Sequence, residues 1–146
     1  MAFWSLDENN AELRIEGEIV SSRDILAWFL GEPQAIEPEI VREIRSVAGK
    51  KLTVWINSPG GSAIAGSVIY TALRNHTGGV IVKIDGIAAS AAATIAAAGD
   101  VVLMSPTAAY MIHNPATEVS GDASDLRKAI HMLNSCKAGI LSLIHI

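Results

Sequence analysis

The chain has 146 residues, half of them hydrophobic, and a formal net charge of −4, which suits one domain with a substantial apolar core. The mildly acidic balance, without any Lys/Arg cluster, argues against nucleic-acid binding, and the longest apolar run is too short and too Ala-rich to cross a bilayer. The start of the chain lacks a signal-peptide pattern, and the single cysteine, Cys136, cannot form an internal disulfide. We therefore expect a cytoplasmic protein in which Cys136 is a buried core residue.

Apolar residues recur with strand and helix periods that alternate along the chain, which predicts an α/β fold. The segment 21–31 is expected to be a short helix or irregular, with Trp28 and Phe29 packing in the core or at an interface. The predicted strands cover 11–16, 51–56, 80–84, 101–104 (expected to be buried) and 108–113. The predicted helices cover 38–49, 62–76, a buried Ala-rich stretch reaching Gly99, and a last helix that begins near 122–125.

Ser90 stands where the strand 80–84, after a tight turn at Gly86, leads into the Ala-rich helix. Free backbone N–H groups at a helix start favour negative charge, which suits a catalytic nucleophile. Serine is also one of the most favoured N-cap residues. Both interpretations of Ser90 stay open on this segment alone.

Two glycines, Gly60 and Gly61, follow the strand 51–56 and precede the helix that begins near Ser62. Glycines at a strand-to-helix turn can direct backbone N–H groups outward without obstruction, as an oxyanion hole requires. A plain tight turn explains them equally well. A phosphate-binding loop is excluded because no Gly-Lys-Ser/Thr follows.

His113 ends a predicted strand, where it is either a structural histidine or a general base. His76 and His131 read as capping or solvent-facing residues. The three show no metal-ligand spacing, so we expect no metal site and no cofactor.

Oxyanion donors, a nucleophile and a general base are the parts of an acyl-transfer site, and the three candidate segments supply them in that order. The segments Ile56–Gly61, Gly86–Ser90 and Met111–Pro115 closely resemble the three signature segments of the Clp protease proteolytic subunit family. The resemblance covers roughly residues 11–140. It implies a crotonase/ClpP-like spiral of ββα units, incomplete at the C-terminus.

The resemblance also implies a role for each matching residue. Ser90 would be the nucleophile and His113 its general base, while the backbone N–H groups of Gly61 and Ala91 would form the oxyanion hole. Backbone near Ala63 and Ala116 would hold the substrate peptide as an added strand.

Within the family, the short segment 99–107 and the Met-Ile-His-Asn-Pro motif favour the phage head maturation (prohead) protease branch. The implied function is a serine endopeptidase, ATP-independent in itself, that forms homo-oligomeric rings and acts on a peptide or protein, such as a capsid or scaffold protein. The need for an ATPase partner is left open.

The family's third catalytic residue, an Asp, is expected well beyond the histidine, and no residue of this chain matches it. The last six residues, 141–146, match the translation of a transposon-end sequencing adapter. We therefore predict a truncated peptidase domain over 1–140 and a non-native tail over 141–146, although a genuine helix end is an open alternative. A catalytically inactive assembly subunit or truncated fragment, and an acyl-CoA enzyme of the crotonase type, are the competing functions.

Overall fold

The computed structural model describes residues 4–7, 11–22 and 29–144, and the chain divides into two compact units, Met1–Ile112 and His113–Ile146. The first unit has the predicted α/β pattern. Its strands are β1 (Trp4–Asp7), β2 (Glu12–Val20), β3 (Gln34–Ile36), β4 (Leu52–Gly61), β5 (Val80–Ala89), β6 (Val101–Met104) and β7 (Ala109–Met111). Its helices are α1 (Glu37–Ser46), α2 (Ala63–Arg74) and α3 (Ala91–Ala96).

The strands form one mostly parallel sheet in the order β1-β2-β4-β5-β6, with β3 paired to β2 and β7 paired to β5. Strand β1 is antiparallel to β2, and the other pairs are parallel. Strand β5 pairs with β6 as far as Ile84 and with β7 from Ile87 onward. The end of β5 that leads to Ser90 is therefore held by β7.

The buried face of the sheet follows the strand alternation. Leu52, Val54, Ile56 and Ser58 alternate with more exposed neighbours along β4, and the same pattern occurs in β2 and β5. This alternation places the apolar half of β2, β4 and β5 in one common core with buried residues of α1, α2 and α3. The core thereby fixes the register of the strands that lead into the site.

The other face of the sheet carries a cationic and aromatic cluster. The guanidinium of Arg14 lies 5.2 Å from the centre of the Trp55 ring, and the Lys83 ammonium lies 4.5 Å from it. Arg14 also pairs with Glu16 at 3.2 Å and with Asp85 at 3.6 Å. Partly exposed pairs of this kind each contribute little to stability. The apolar side chains buried on the opposite face of the sheet therefore contribute most of it.

The second unit consists of an irregular segment followed by helix α4 (Ala123–Ile144). The Asp122 carboxylate accepts hydrogen bonds from the N–H groups of Ser124 and Asp125, at 2.7 and 3.1 Å, so the predicted acidic helix start is confirmed. Cys136 is half-buried rather than buried. The boundary at residue 140 stays a prediction, since α4 continues past it to Ile144.

Some predicted elements are wrong in extent. Strand β5 does not turn at Gly86 but continues to Ala89, and β4 continues through Gly61 instead of ending at Ile56. A bulge explains both, because three residues of β5, Asp85–Ile87, lie opposite the single residue Asn57. The Asn57 side-chain oxygen accepts the Ile87 N–H at 3.3 Å, and a Cβ at Gly86 would collide with that same amide.

Burial differs from expectation along one strand. Strand β6 forms as predicted, but its four side chains are 44–51% exposed instead of buried. Phe29 is 79% exposed, which excludes a place in the core and leaves packing at an interface as a prediction. The expectation for Trp28 lies outside the described residues. Among the helices of the described ranges, none combines the length and the apolar composition needed to cross a membrane.

Candidate active site

Ser90 is the single residue between the end of β5 and the start of α3, and its backbone has φ +56° and ψ −120°. A positive φ is unfavourable for a residue with a Cβ and typically costs about 1–3 kcal/mol, so the surrounding structure must impose it. Hydrogen bonds hold Ser90 on both sides. Its N–H donates to the Met111 carbonyl at 2.9 Å, and its own carbonyl accepts from the Ala93 N–H at 3.0 Å.

The side chain of Ser90 does not cap the helix that follows it. Ser62, at the start of α2, shows the contrast, because its hydroxyl accepts the Ala65 N–H at 3.2 Å in an ordinary N-cap. Ser90 is half-buried and stands at the N-cap position without making the bond that defines a cap. The N-cap interpretation therefore fails for Ser90.

Gly60 packs directly against the backbone around Ser90. A Cβ at position 60 would lie 2.5 Å from the Ala89 carbonyl oxygen, 2.7 Å from the Ser90 Cβ and 3.0 Å from the Ala91 nitrogen. Gly60 also has φ +98°, so both its conformation and its neighbours require glycine. The end of β4 and the turn at Ser90 thus form one structural site.

Gly61 is the last residue of β4 and pairs with Ile19 of β2. The neighbouring Ser62 N–H donates to the Ile19 carbonyl at 2.8 Å. Gly61 has φ +141°, and a Cβ there would collide with the backbone of Ile19, so both its conformation and its close contact with β2 require glycine.

The structure places the remaining predicted residues in both units. Ala91 is the buried first residue of α3, and Ala63 is the exposed first residue of α2. His113 is exposed and begins the second unit. The strand predicted to reach His113 is shorter than expected, because β7 ends two residues earlier, at Met111. Ala116 is exposed in the irregular segment of the second unit.

Ser58 was not among the predicted site residues, although it fixes the position of Gly60. Its hydroxyl is fully buried, donates to the Gly17 carbonyl at 2.6 Å and accepts the Gly60 N–H at 3.1 Å. The alternation along β4 contained the signal, because Ser58 falls in the same phase as the buried Val54 and Ile56.

Tyr110 was also missed. Its hydroxyl donates to the Ala93 carbonyl at 2.8 Å and so joins β7 to α3. Burial raises the pKa of Tyr110 above its ordinary value of 10.0, which further favours the protonated form that donates this bond. No periodicity in the sequence distinguishes Tyr110 from its neighbours.

Within the described ranges, no group of three or more His, Cys, Asp or Glu side chains is arranged to hold a metal ion. The chemistry available at the Ser90 turn is that of a hydroxyl beside backbone N–H groups. Such an arrangement suits covalent attack on a carbonyl whose developing negative charge is stabilised by those N–H groups.

The sequence model of the Clp protease family matches residues 39–145. ATP-dependent Clp protease proteolytic subunits are similar to this chain: one from Bacteroides thetaiotaomicron is 35% identical over 98 residues (66% of this chain, 44% of the relative). Subunit 1 of Streptomyces coelicolor is 32% identical over 108 residues (68% and 48%). The chain thus spans less than half the length of these relatives.

A solved structure of a ClpP1 variant from Listeria monocytogenes has the same fold, with a TM-score of 0.75 at 23% identity. The match covers 94% of this chain and 71% of that one. The ClpP-like α/β fold implied by the three motifs is thereby confirmed. Since the family model spans most of its length, the chain belongs to the Clp protease family.

Proposed function

We propose that this chain is the peptidase core of a Clp-type serine endopeptidase, with Ser90 as its nucleophile. The observation that carries the proposal is the backbone of Ser90, held at φ +56° between strand and helix while its side chain makes no cap. Strain of this kind persists at functional sites, where it presents a side chain that a relaxed turn would not. A serine kept only for its structural role would be expected to cap the helix, as Ser62 does.

The other roles follow from the family motifs. His113 is the general base: it takes the proton from the Ser90 hydroxyl as the oxygen attacks the peptide carbonyl, and then gives that proton to the leaving amine. The N–H groups of Gly61 and Ala91 stabilise the negative oxygen of the tetrahedral intermediate. Water then hydrolyses the acyl-enzyme. The close approach of Gly60 to the Ala91 nitrogen supports this pairing of the two donors.

The substrate is proposed to be a peptide that binds as an added strand, with backbone contacts near Ala63 and Ala116. We expect the protein to assemble as a homo-oligomeric ring in the cytoplasm, as the family resemblance implies. The finer assignment to phage prohead maturation, with a capsid or scaffold protein as substrate, rests on the short segment 99–107 and the motif 111–115.

The experiment is covalent labelling of the purified chain with a fluorophosphonate probe. We expect Ser90→Ala to abolish labelling and Ser67→Ala, which removes an exposed serine of α2, to leave it unchanged. His113→Asn should slow labelling at least 100-fold, within the range typical of general bases, whereas His131→Asn should not. Full labelling of Ser90→Ala would overturn the proposal.

Failure of the folded wild type to react would favour the competing functions. Oligomers seen by light scattering without labelling would support an inactive assembly subunit. Binding of an acyl-CoA without labelling would support the crotonase-type enzyme.

A further inference from the structure

Tyr110 connects the strand β7 to the helix that follows Ser90. Its hydroxyl donates to the Ala93 carbonyl at 2.8 Å, across 17 positions of the chain. That carbonyl also accepts the Ala97 N–H at 3.2 Å, so the bond from Tyr110 adds to the helix and does not compete with it.

The neighbouring residue of β7 makes a second connection to the same turn. The Met111 carbonyl accepts the Ser90 N–H at 2.9 Å, while β7 pairs with β5 through Ala88↔Tyr110 and Ala89↔Met111. Two adjacent residues of one short strand therefore hold the turn on both of its sides. Met111 holds the nucleophile's own backbone, and Tyr110 holds the first turn of α3.

Helix α3 needs such an external connection. It has only six residues, Ala91–Ala96, and helices of this length do not persist in water without tertiary contacts. The positive φ of Ser90 adds a conformational cost that the neighbouring elements must offset. A hydroxyl that fixes the start of α3 restricts the rotation by which Ser90 would relax.

We propose that Tyr110 is a positioning residue for the nucleophile, acting through its hydrogen bond to the Ala93 carbonyl. This inference rests on the proposed function of Ser90. Tyr110 does not touch the reacting atoms in this proposal. It keeps the Ser90 hydroxyl in the orientation from which it attacks.

The test is Tyr110→Phe, which removes the hydroxyl and keeps the ring. The control is Thr71→Val, which removes a hydroxyl that likewise donates to a backbone carbonyl (Ser67, 2.9 Å) but lies on the exposed side of α2. The fluorophosphonate is varied over a range that saturates the protein. This separates the maximal rate of labelling from the concentration that gives half of it.

We expect Tyr110→Phe to lower the maximal rate about tenfold, the loss typical of one hydrogen bond, and to leave the half-saturating concentration unchanged. Thr71→Val should match the wild type in both. A maximal rate that is unchanged in Tyr110→Phe, or that falls equally in Thr71→Val, would overturn the inference while leaving Ser90 as the nucleophile. If the Ser90→Ala variant is still labelled, the probe reacts with another residue. That result would overturn the proposed function and this inference together.

Discussion

Gly60 and Ser90 are held so close that no side chain fits at position 60: a Cβ there would lie 2.7 Å from the Cβ of Ser90. Gly60 is the last residue but one of β4, just before the connection to α2, and Ser90 forms the connection between β5 and α3. The contact therefore joins the two segments proposed to supply the oxyanion donors and the nucleophile. It also explains why a glycine with positive φ precedes Gly61.

Gly60→Ala should destabilise the protein by about 2–4 kcal/mol, because the new Cβ meets backbone atoms that cannot move aside and φ is positive. Gly49→Ala is the matched control, since Gly49 has φ +81° but open space around it, and should cost only about 1–2 kcal/mol. The measurement is urea unfolding of both variants. Equal losses would show that the contact with Ser90 contributes nothing.

Ser90→Gly should be more stable than Ser90→Ala by about 1 kcal/mol, because only glycine adopts φ +56° without strain. At position 67, inside α2, the order should reverse: Ser67→Gly should be less stable than Ser67→Ala by a similar amount. Thermal unfolding of these four variants, with the wild type as reference, measures both differences. A Ser90→Gly variant less stable than Ser90→Ala would contradict the strain argument.

Ser58→Ala should cost about 1–3 kcal/mol, because it leaves the Gly60 N–H and the Gly17 carbonyl without their buried partner. We also expect slower fluorophosphonate labelling, since Gly60 would lose its anchor. Ser46→Ala removes an exposed hydroxyl bonded to the Glu43 carbonyl and should change stability by less than about 0.5 kcal/mol. Equal urea midpoints for Ser58→Ala and Ser46→Ala would contradict this prediction.

The raised pKa of Tyr110 predicts a loss of stability at alkaline pH. In the unfolded chain the phenol titrates near 10.0, whereas the folded state holds the proton more tightly. The stabilisation is therefore complete below pH 10 and is lost as pH rises through the folded-state pKa. Tyr110→Phe should lack this part of the pH dependence. Urea midpoints of both proteins from pH 8 to 11 should converge or cross above pH 10, and parallel curves would contradict the prediction.

The sequence by itself determined the element pattern, because strand alternation and helical periodicity directly reflect which side chains are buried. It determined that α4 begins near Asp122 and that Ser90 stands immediately before a helix, since these are local features of the chain. It did not determine where β4 and β5 end. The bulge at Asn57 depends on a partner strand, and no local pattern records it.

Only the tertiary structure decided how the Ser90 turn is held. The positive φ of Ser90, the approach of Gly60 and the bond from Tyr110 to Ala93 all depend on segments distant in the chain that pack together. The local sequence does not distinguish a serine that caps the following helix from one whose strained backbone keeps its side chain from capping. The difference lies in the packing of β4 and β7 against it, which no single segment of the sequence contains.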